Sequence, residues 1–147
     1  MNFAHLHLIL NHLPLLTLPI VMIFLGYSLY KKSEQFKRFS LLMIMLTSVS
    51  VLPVFLTGEP AEEVIEKLPG VSKSVVHEHE EFAEIAFVLT LLVSISSLLV
   101  LLTYSKPVTA KYGIPLVLIV SVIAISALGY TANLGGKIRH TELLESQ

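Results

Sequence analysis

Four long stretches without a charged residue are the feature that most constrains how this chain folds. Residues 1–30, 39–58, 85–105 and 112–136 contain no Lys, Arg, Asp or Glu. About 20 apolar residues are needed to cross a hydrocarbon core of roughly 30 Å. All four stretches are long enough, and none carries a polar stripe that would face water. We therefore predict an all-α fold, an integral membrane four-helix bundle.

The predicted bundle is a single domain that covers residues 1–147. We expect its membrane spans at residues 5–30, 39–57, 80–104 and 113–135, with a loop at residues 58–79 between the second and third spans. The first span lacks the basic start and the small-residue cleavage site of a signal peptide, so we expect it to stay as a helix. On the fourth span, Gly129, Ala132 and Gly136 form a small-residue face that permits close helix approach.

The charges outside the spans are divided between the two ends of the predicted bundle. The loops at residues 31–38 and 106–111 together carry a charge of +5, whereas residues 58–84 hold eight Glu against two Lys. Loops rich in Lys and Arg stay on the cytoplasmic side of a membrane. The distribution predicts a multi-pass protein of the bacterial inner membrane, with both termini and the acidic loop on the outer, periplasmic side.

Composition excludes several classes of function. Only 14% of the residues are charged, against about 25% in a typical soluble domain. There is no basic excess to neutralise phosphates, so we expect no nucleic-acid partner. The absence of cysteine removes disulfides, thiolate metal sites and iron–sulfur clusters supplied by the chain. No span carries a charge at its middle, which argues against an ion pump or a coupled transporter.

All six histidines fall at the predicted outer end of the bundle. They are His5, His7 and His12 at the start of the first span, His77 and His79 before the third, and His140 after the fourth. His12 lies roughly 10 Å deeper than His5 along the helix. A polar ring at that depth is costly without a partner, so we expect His12 to converge with His79 and His140.

This cluster suggests two sets of ligands. For a haem, the candidate cofactor-binding residues are His12, His79, His140, His7 and Arg139, because imidazole is a common axial ligand of haem iron and a guanidinium suits a propionate. For a non-haem transition metal such as Zn, Fe or Cu, the candidate ligands are His12, His79, His140, Glu59 and Glu80. The sequence alone does not separate the two sets.

Several motifs resemble a family of small bacterial membrane proteins, domain-of-unknown-function family 2231. The matching segments are residues 4–7 (AHLH), 11–14 (NHLP), 57–63 (TGEPAEE), 79–80 (HE), 131–136 (TANLGG) and 139–140 (RH). The resemblance covers nearly the whole chain and implies a four-helix membrane fold. It marks His12, His79 and His140 as family-type positions and implies no activity. One departure is His7-Leu8, where the family tends to have His-Pro.

Three functions follow as hypotheses. The leading one is an electron-transfer protein that binds b-type haem at the outer face and passes electrons between quinone and a periplasmic acceptor. The second is a non-haem metal protein, and the third is a cofactor-free accessory subunit of a larger, respiratory-type membrane complex. We expect a carrier or an accessory subunit rather than a stand-alone enzyme. The lipid bilayer is an expected partner in each case, and the sequence leaves a homo-oligomer open.

Overall fold

The computed structural model describes residues 2–139, apart from the side chains of Ala110 and Arg139. These described residues form six α-helices and one π-helical turn. These are α1 (Phe3–Tyr30), α2 (Glu34–Val49), α3 (Val51–Leu56), α4 (Gly58–Ile65), α5 (Lys73–Leu102), the π-helical turn (Thr109–Gly113) and α6 (Ile114–Arg139). The described residues contain no strand, and the predicted all-α fold is confirmed.

Within residues 2–139, four helical segments are long and apolar enough to cross a membrane. They are Phe3–Tyr30, Glu34–Leu56, Lys73–Leu102 and Lys111–Ile138. Their outer faces are covered with large apolar side chains, of which Ile23, Leu56 and Leu102 are each more than 70% exposed. Contiguous apolar surface on this scale is rare on soluble monomers, and in a bilayer it is the surface that lipid covers. The four predicted transmembrane helices are confirmed.

The spans are arranged around one core in the order α1, α2, α5, α6. The most extensive interface is that between α5 and α6, followed by α2 with α5 and α1 with α2, whereas α1 and α6 touch less. Fully buried apolar side chains from all four spans fill the core; they include Leu18, Leu41, Val93 and Val117. In this order α1 lies diagonally opposite α5, and α2 lies diagonally opposite α6.

The second span is interrupted, and the loop after it is largely helical. Pro53 has no N–H to donate to the carbonyl of Val49, and α2 ends at Val49 while α3 begins at Val51. The chain turns again at Thr57 into α4, and α5 begins at Lys73. His79 therefore lies in the second turn of a long helix, in a part of the chain that we expected to be a loop.

The two ends of the bundle differ in chemistry. At one end, which we call the hairpin end, Tyr104 Oη donates to Glu34 Oε2 at 2.6 Å and the Arg38 guanidinium lies 4.6 Å from the Tyr104 ring centroid. Here α5 and the π-helical turn approach so closely that a Cβ on Gly113 would lie 2.7 Å from Val100 Cγ2. The opposite end, with His7, Thr57, His79 and Thr131, is called the histidine end below.

The contact between Tyr104 and Glu34 at the hairpin end predicts a raised pKa for the Tyr104 phenol. Burial, followed by the hydrogen bond to Glu34, raises the pKa of Tyr104 from 10.0 to about 12. Because the folded pKa lies above the unfolded one, this contact stabilises the fold fully below pH 10 and is lost as the pH rises through about 12. In a pH titration, the difference in ultraviolet absorbance between wild type and Tyr104→Phe reports the ionisation of the Tyr104 phenol. A midpoint at pH 10.0, the ordinary pKa of tyrosine, would contradict the raised pKa. Glu34→Gln should lower the midpoint.

Candidate functional site

His7 connects the first span to the end of the second. It lies on α1, about one turn from the start of the helix, and its ring is partly buried. His7 Nδ1 lies 3.0 Å from the carbonyl oxygen of Val54 and 3.1 Å from Thr57 Oγ1. The Val54 carbonyl also accepts from the backbone N–H and the hydroxyl of Thr57, so the His7 ring adds a donor from α1 to this hydrogen-bonded turn. The α1 helix is thereby joined to the point where the chain turns into α4.

His79 makes the equivalent connection between the third and fourth spans. Its ring is also partly buried, and its Nδ1 lies 2.9 Å from the carbonyl oxygen of Thr131 on α6. One turn further along α6, Gly135 leaves room for the ring: a Cβ at this position would lie 3.3 Å from His79 Cε1 and 3.6 Å from Nδ1. The absence of a side chain at Gly135 therefore lets the imidazole rest against the α6 backbone.

The hydrogen bonds determine which ring nitrogen carries the proton. A backbone carbonyl can only accept, so Nδ1 of both His7 and His79 must be the protonated nitrogen. In the neutral ring the other nitrogen, Nε2, then carries a lone pair. No residue in the described part of the chain hydrogen-bonds Nε2 of either ring. A histidine with Nδ1–H on a carbonyl and Nε2 unengaged is in the form that ligates a metal.

The two rings are presented by diagonal helices. His7 is on α1 and His79 is on α5, which face each other across the bundle rather than sharing an interface. Facing helices are where bundles carry side chains that hold a cofactor in the core. The structure therefore places two of the predicted histidines at the same end of the bundle, one from each half of the chain.

His12 lies elsewhere, on the outer face of α1. Its side chain is exposed, and its Nδ1 lies 2.6 Å from the carbonyl oxygen of Leu8, one turn back on the same helix. His5 is exposed on the same side, as expected for residues seven positions apart on a helix. His7 is rotated by about 160° from His5 and by about 140° from His12, since each residue advances a helix by about 100°. Of the three histidines on α1, only His7 points toward another span.

The predicted acidic ligands, Glu59 and Glu80, are exposed at the water-facing surface of the histidine end. Glu59 belongs to α4 and Glu80 to the start of α5. Together with Glu66 they surround Glu62, whose pKa is raised first by burial and then by these neighbouring carboxylates. Within residues 2–139 no group of three or more His or Glu side chains is placed to hold a metal ion.

Of the remaining candidate residues, one lies on the surface and two lie wholly or partly outside the described part of the chain. His77 is exposed and lies 3.8 Å from Glu80 and 3.4 Å from Glu81, which indicates a solvated surface group. His140 lies outside the described residues, and so does the side chain of Arg139. Their predicted roles as a ligand and as a propionate partner stay predictions.

The groups that hold the two inner rings are mostly backbone atoms, which is why sequence reasoning did not single them out. The acceptors are the carbonyls of Val54 and Thr131, whose residue types carry no chemical signal. Nearby, Tyr130 Oη donates to Glu78 at 2.9 Å, and the Tyr130 ring packs edge-on against Phe82 with centroids 4.5 Å apart. In the sequence, only the motifs at residues 57–60 (TGEP) and 131–136 (TANLGG) indicated this site, since they contain Thr57, Thr131 and Gly135.

Comparison with known proteins gives a family but no activity. No curated protein and no solved structure matches this chain. The model of one family, described as "Predicted membrane protein (DUF2231)", matches residues 4–143. The match covers all four spans as well as His7, His79 and the glycines beside them. The chain belongs to the DUF2231 family of membrane proteins.

Proposed function

We propose that this protein is a membrane electron carrier that binds a b-type haem at the histidine end, where His7 and His79 would hold the iron. The observation that supports the proposal is the hydrogen bonding of these two imidazole rings. Each holds its Nδ1 proton on a backbone carbonyl of a neighbouring helix, and each keeps the Nε2 lone pair unengaged. A haem bound there would supply reversible one-electron chemistry.

The number of available ligands favours haem over a bare metal ion. A porphyrin itself supplies four donors to iron, so two imidazoles complete the coordination. A structural zinc site needs four protein ligands, and a catalytic one needs three. The described residues at the histidine end provide two imidazoles and no third ligand beside them. His7 takes the place that we first gave to His12, which faces outward on α1.

Location and partners follow from the charge distribution. The basic hairpin end is proposed to face the cytoplasm, which places the histidine end at the periplasmic side of a bacterial inner membrane. Electrons would then pass between quinone and a periplasmic acceptor at that face. Because both ligands lie at one end of the bundle, this chain by itself does not carry electrons across the whole membrane.

The proposal is tested by the visible spectrum and metal content of the protein, purified without a histidine tag from cells supplied with a haem precursor. We expect a Soret band and a reduced α-band after dithionite addition, with about one haem per chain. His12→Ala should leave both bands in place, since this ring contacts neither inner histidine. A colourless protein that contains stoichiometric metal would contradict the haem proposal and favour the His/Glu metal site.

A second candidate, the cofactor-free accessory subunit, is supported by the same hydrogen bonds. The His7 and His79 rings join spans one to two and three to four, and such clamps stabilise a bundle without any cofactor. In that case the purified protein would contain neither haem nor metal, and a larger membrane complex would purify with it.

A further inference from the structure

A layer of short side chains, three of them hydroxylated, crosses the core of the bundle. Each span contributes one fully buried residue to what we call the polar layer: Pro14, Ser48, Thr90 and Ser121. Ser48 lies four residues after Ile44 on α2, and Ser121 lies four residues after Val117 on α6, and both aliphatic residues belong to the apolar core. Side chains four positions apart share a helix face, so both serines point into the core.

Contacts between neighbouring spans place the four residues of the polar layer at one depth. The contacts that fix the register are His79 with Thr131 and Val100 with Gly113, Ser94 Oγ with the Met45 carbonyl, and His7 with Val54. Neighbouring spans run antiparallel, so residues can be counted along each helix from these contacts. The count brings Ser48 and Ser121 level with Thr90, and Pro14 level with Ser48, to within about two residues or roughly 3 Å.

Two hydroxyls of the polar layer have no partner on the protein. Within residues 2–139, neither Ser48 Oγ nor Ser121 Oγ has a hydrogen-bond partner, although both side chains are fully buried. Thr90 Oγ1, in contrast, donates to the Ala86 carbonyl on its own helix at 2.7 Å. A further unpartnered hydroxyl, that of Ser97, lies about two turns nearer the hairpin end. Buried hydroxyls without a partner are rare in native proteins, and two at one depth indicate a hydrogen-bonding ligand there.

The polar layer also adjoins a carbonyl that lacks its helical donor. Pro14 has no N–H, so the Leu10 carbonyl, which points along α1 toward residue 14, does not receive the hydrogen bond of an ordinary helix. Pro14 is fully buried, which puts this acceptor on the core side of α1. In membrane helices, ordered water is one of the groups that satisfy carbonyls freed by proline.

The core has short side chains at this depth and longer ones next to it. On the side of the hairpin end, the adjoining layer is filled by Leu18, Ile44 and Val117. On the side of the histidine end, the adjoining buried residues include Ala86 and Ala124. The space that leucine and isoleucine fill in one layer is therefore available in the polar layer for a small polar molecule.

We propose that the polar layer binds one buried water molecule, which donates to the Leu10 carbonyl and exchanges hydrogen bonds with Oγ of Ser48 and Ser121. A hydroxyl can donate or accept, and about three partners is usual for a buried water. This water connects α1 to α2 and α6, two spans that lie diagonally opposite each other. Thr90 follows His79 by eleven residues, or about 16 Å along α5, so this site is separate from the histidine end.

A double-variant cycle tests the bridge, with the full chain unfolded reversibly by dodecyl sulfate in mixed micelles. Ser48→Ala and Ser121→Ala should each raise the equilibrium constant for unfolding about fivefold, because each removes one hydrogen bond to the water. The double variant should raise it about tenfold, well short of the roughly 25-fold product, because the two serines share one partner.

Ser28→Ala is the matched control. Ser28 is as buried as the two serines of the polar layer, but its hydroxyl donates to the Leu25 carbonyl on its own helix at 2.6 Å. Its effect should therefore multiply with that of Ser121→Ala without coupling. A high-resolution crystal structure in a lipid phase is the direct readout, and should show one water about 2.8 Å from Oγ of both Ser48 and Ser121.

Three results would overturn the proposal. The first is a gain in stability in Ser48→Ala or Ser121→Ala, since removing an unpartnered hydroxyl from a dry layer relieves its cost. The second is a double variant whose effect equals the product of the single ones. The third is a crystal structure in which the two hydroxyls bond to each other or to carbonyls of their own helices.

Discussion

Gly135→Leu is expected to displace the His79 imidazole from α6 and to lower the free energy of unfolding by about 1–3 kcal/mol, the usual cost of overpacking. The reason is the close approach of the ring. A Cβ at Gly135 already lies 3.3 Å from His79 Cε1, so the neighbour must move even for alanine, and a leucine side chain occupies the position of the ring itself. The hydrogen bond from His79 Nδ1 to the Thr131 carbonyl is then lost.

The adjacent glycine provides a matched control. A Cβ on Gly136 meets no atom within 4 Å, so Gly136→Leu changes the same backbone and the same helix propensity without touching the histidine. Thermal unfolding in detergent, followed by circular dichroism, should show a graded loss of stability from glycine through Gly135→Ala to Gly135→Leu. Equal losses in Gly135→Leu and Gly136→Leu would contradict the contact with His79.

The second large effect is expected from His7 and His79 themselves. His79→Ala removes one interhelical hydrogen bond and the packing of a partly buried ring, and should cost about 1–2 kcal/mol. His77→Ala is the matched control two residues away on the same helix, since His77 is exposed and its contacts to carboxylates contribute little. His7→Ala and its control His5→Ala form a parallel pair on α1. Haem is expected to be lost in both inner variants and retained in both controls.

An asparagine at either inner position separates the two roles of the ring. The side-chain amide of His79→Asn can donate to the Thr131 carbonyl, as Nδ1 does, but it has no nitrogen lone pair for iron. The same holds for His7→Asn and the Val54 carbonyl. These variants should recover part of the stability lost in the alanine variants and still fail to bind haem. Full recovery of binding would show that the rings are clamps and not ligands.

The number and position of the spans were predictable because they depend on where charges are absent. Burial in lipid requires about 20 apolar residues whatever the packing, so the charge-free stretches alone indicate four helices. The interruption at Ser50 and the helical start of α5 at Lys73 were not predicted. Pro53 is tolerated inside many membrane helices, and the polar residues before Glu80 are typical of both loops and solvated helix ends.

The choice between His7 and His12 was not predictable, for a physical reason. A soluble helix shows an apolar stripe that identifies its inner face, but α1 is apolar all round because lipid and core are both apolar. The depth of His12 along α1 favoured it as the inner histidine. The contact is instead decided by which face of α1 packs against α3 and α4, and His7 is on that face. The same holds for the glycines of α6: the small-residue face includes Gly129 and Gly136, but among the three Gly135 is the one that lies against a histidine ring.

The most direct test of the proposed site is an optical titration of the purified, haem-free protein with haem. We predict that wild type binds about one haem per chain with a two-imidazole, low-spin spectrum. It also predicts that His7→Asn and His79→Asn, although folded, lose that spectrum, while His12→Ala keeps it. A wild-type protein that does not bind haem, or asparagine variants that bind it as wild type does, would contradict the assignment of His7 and His79 as ligands.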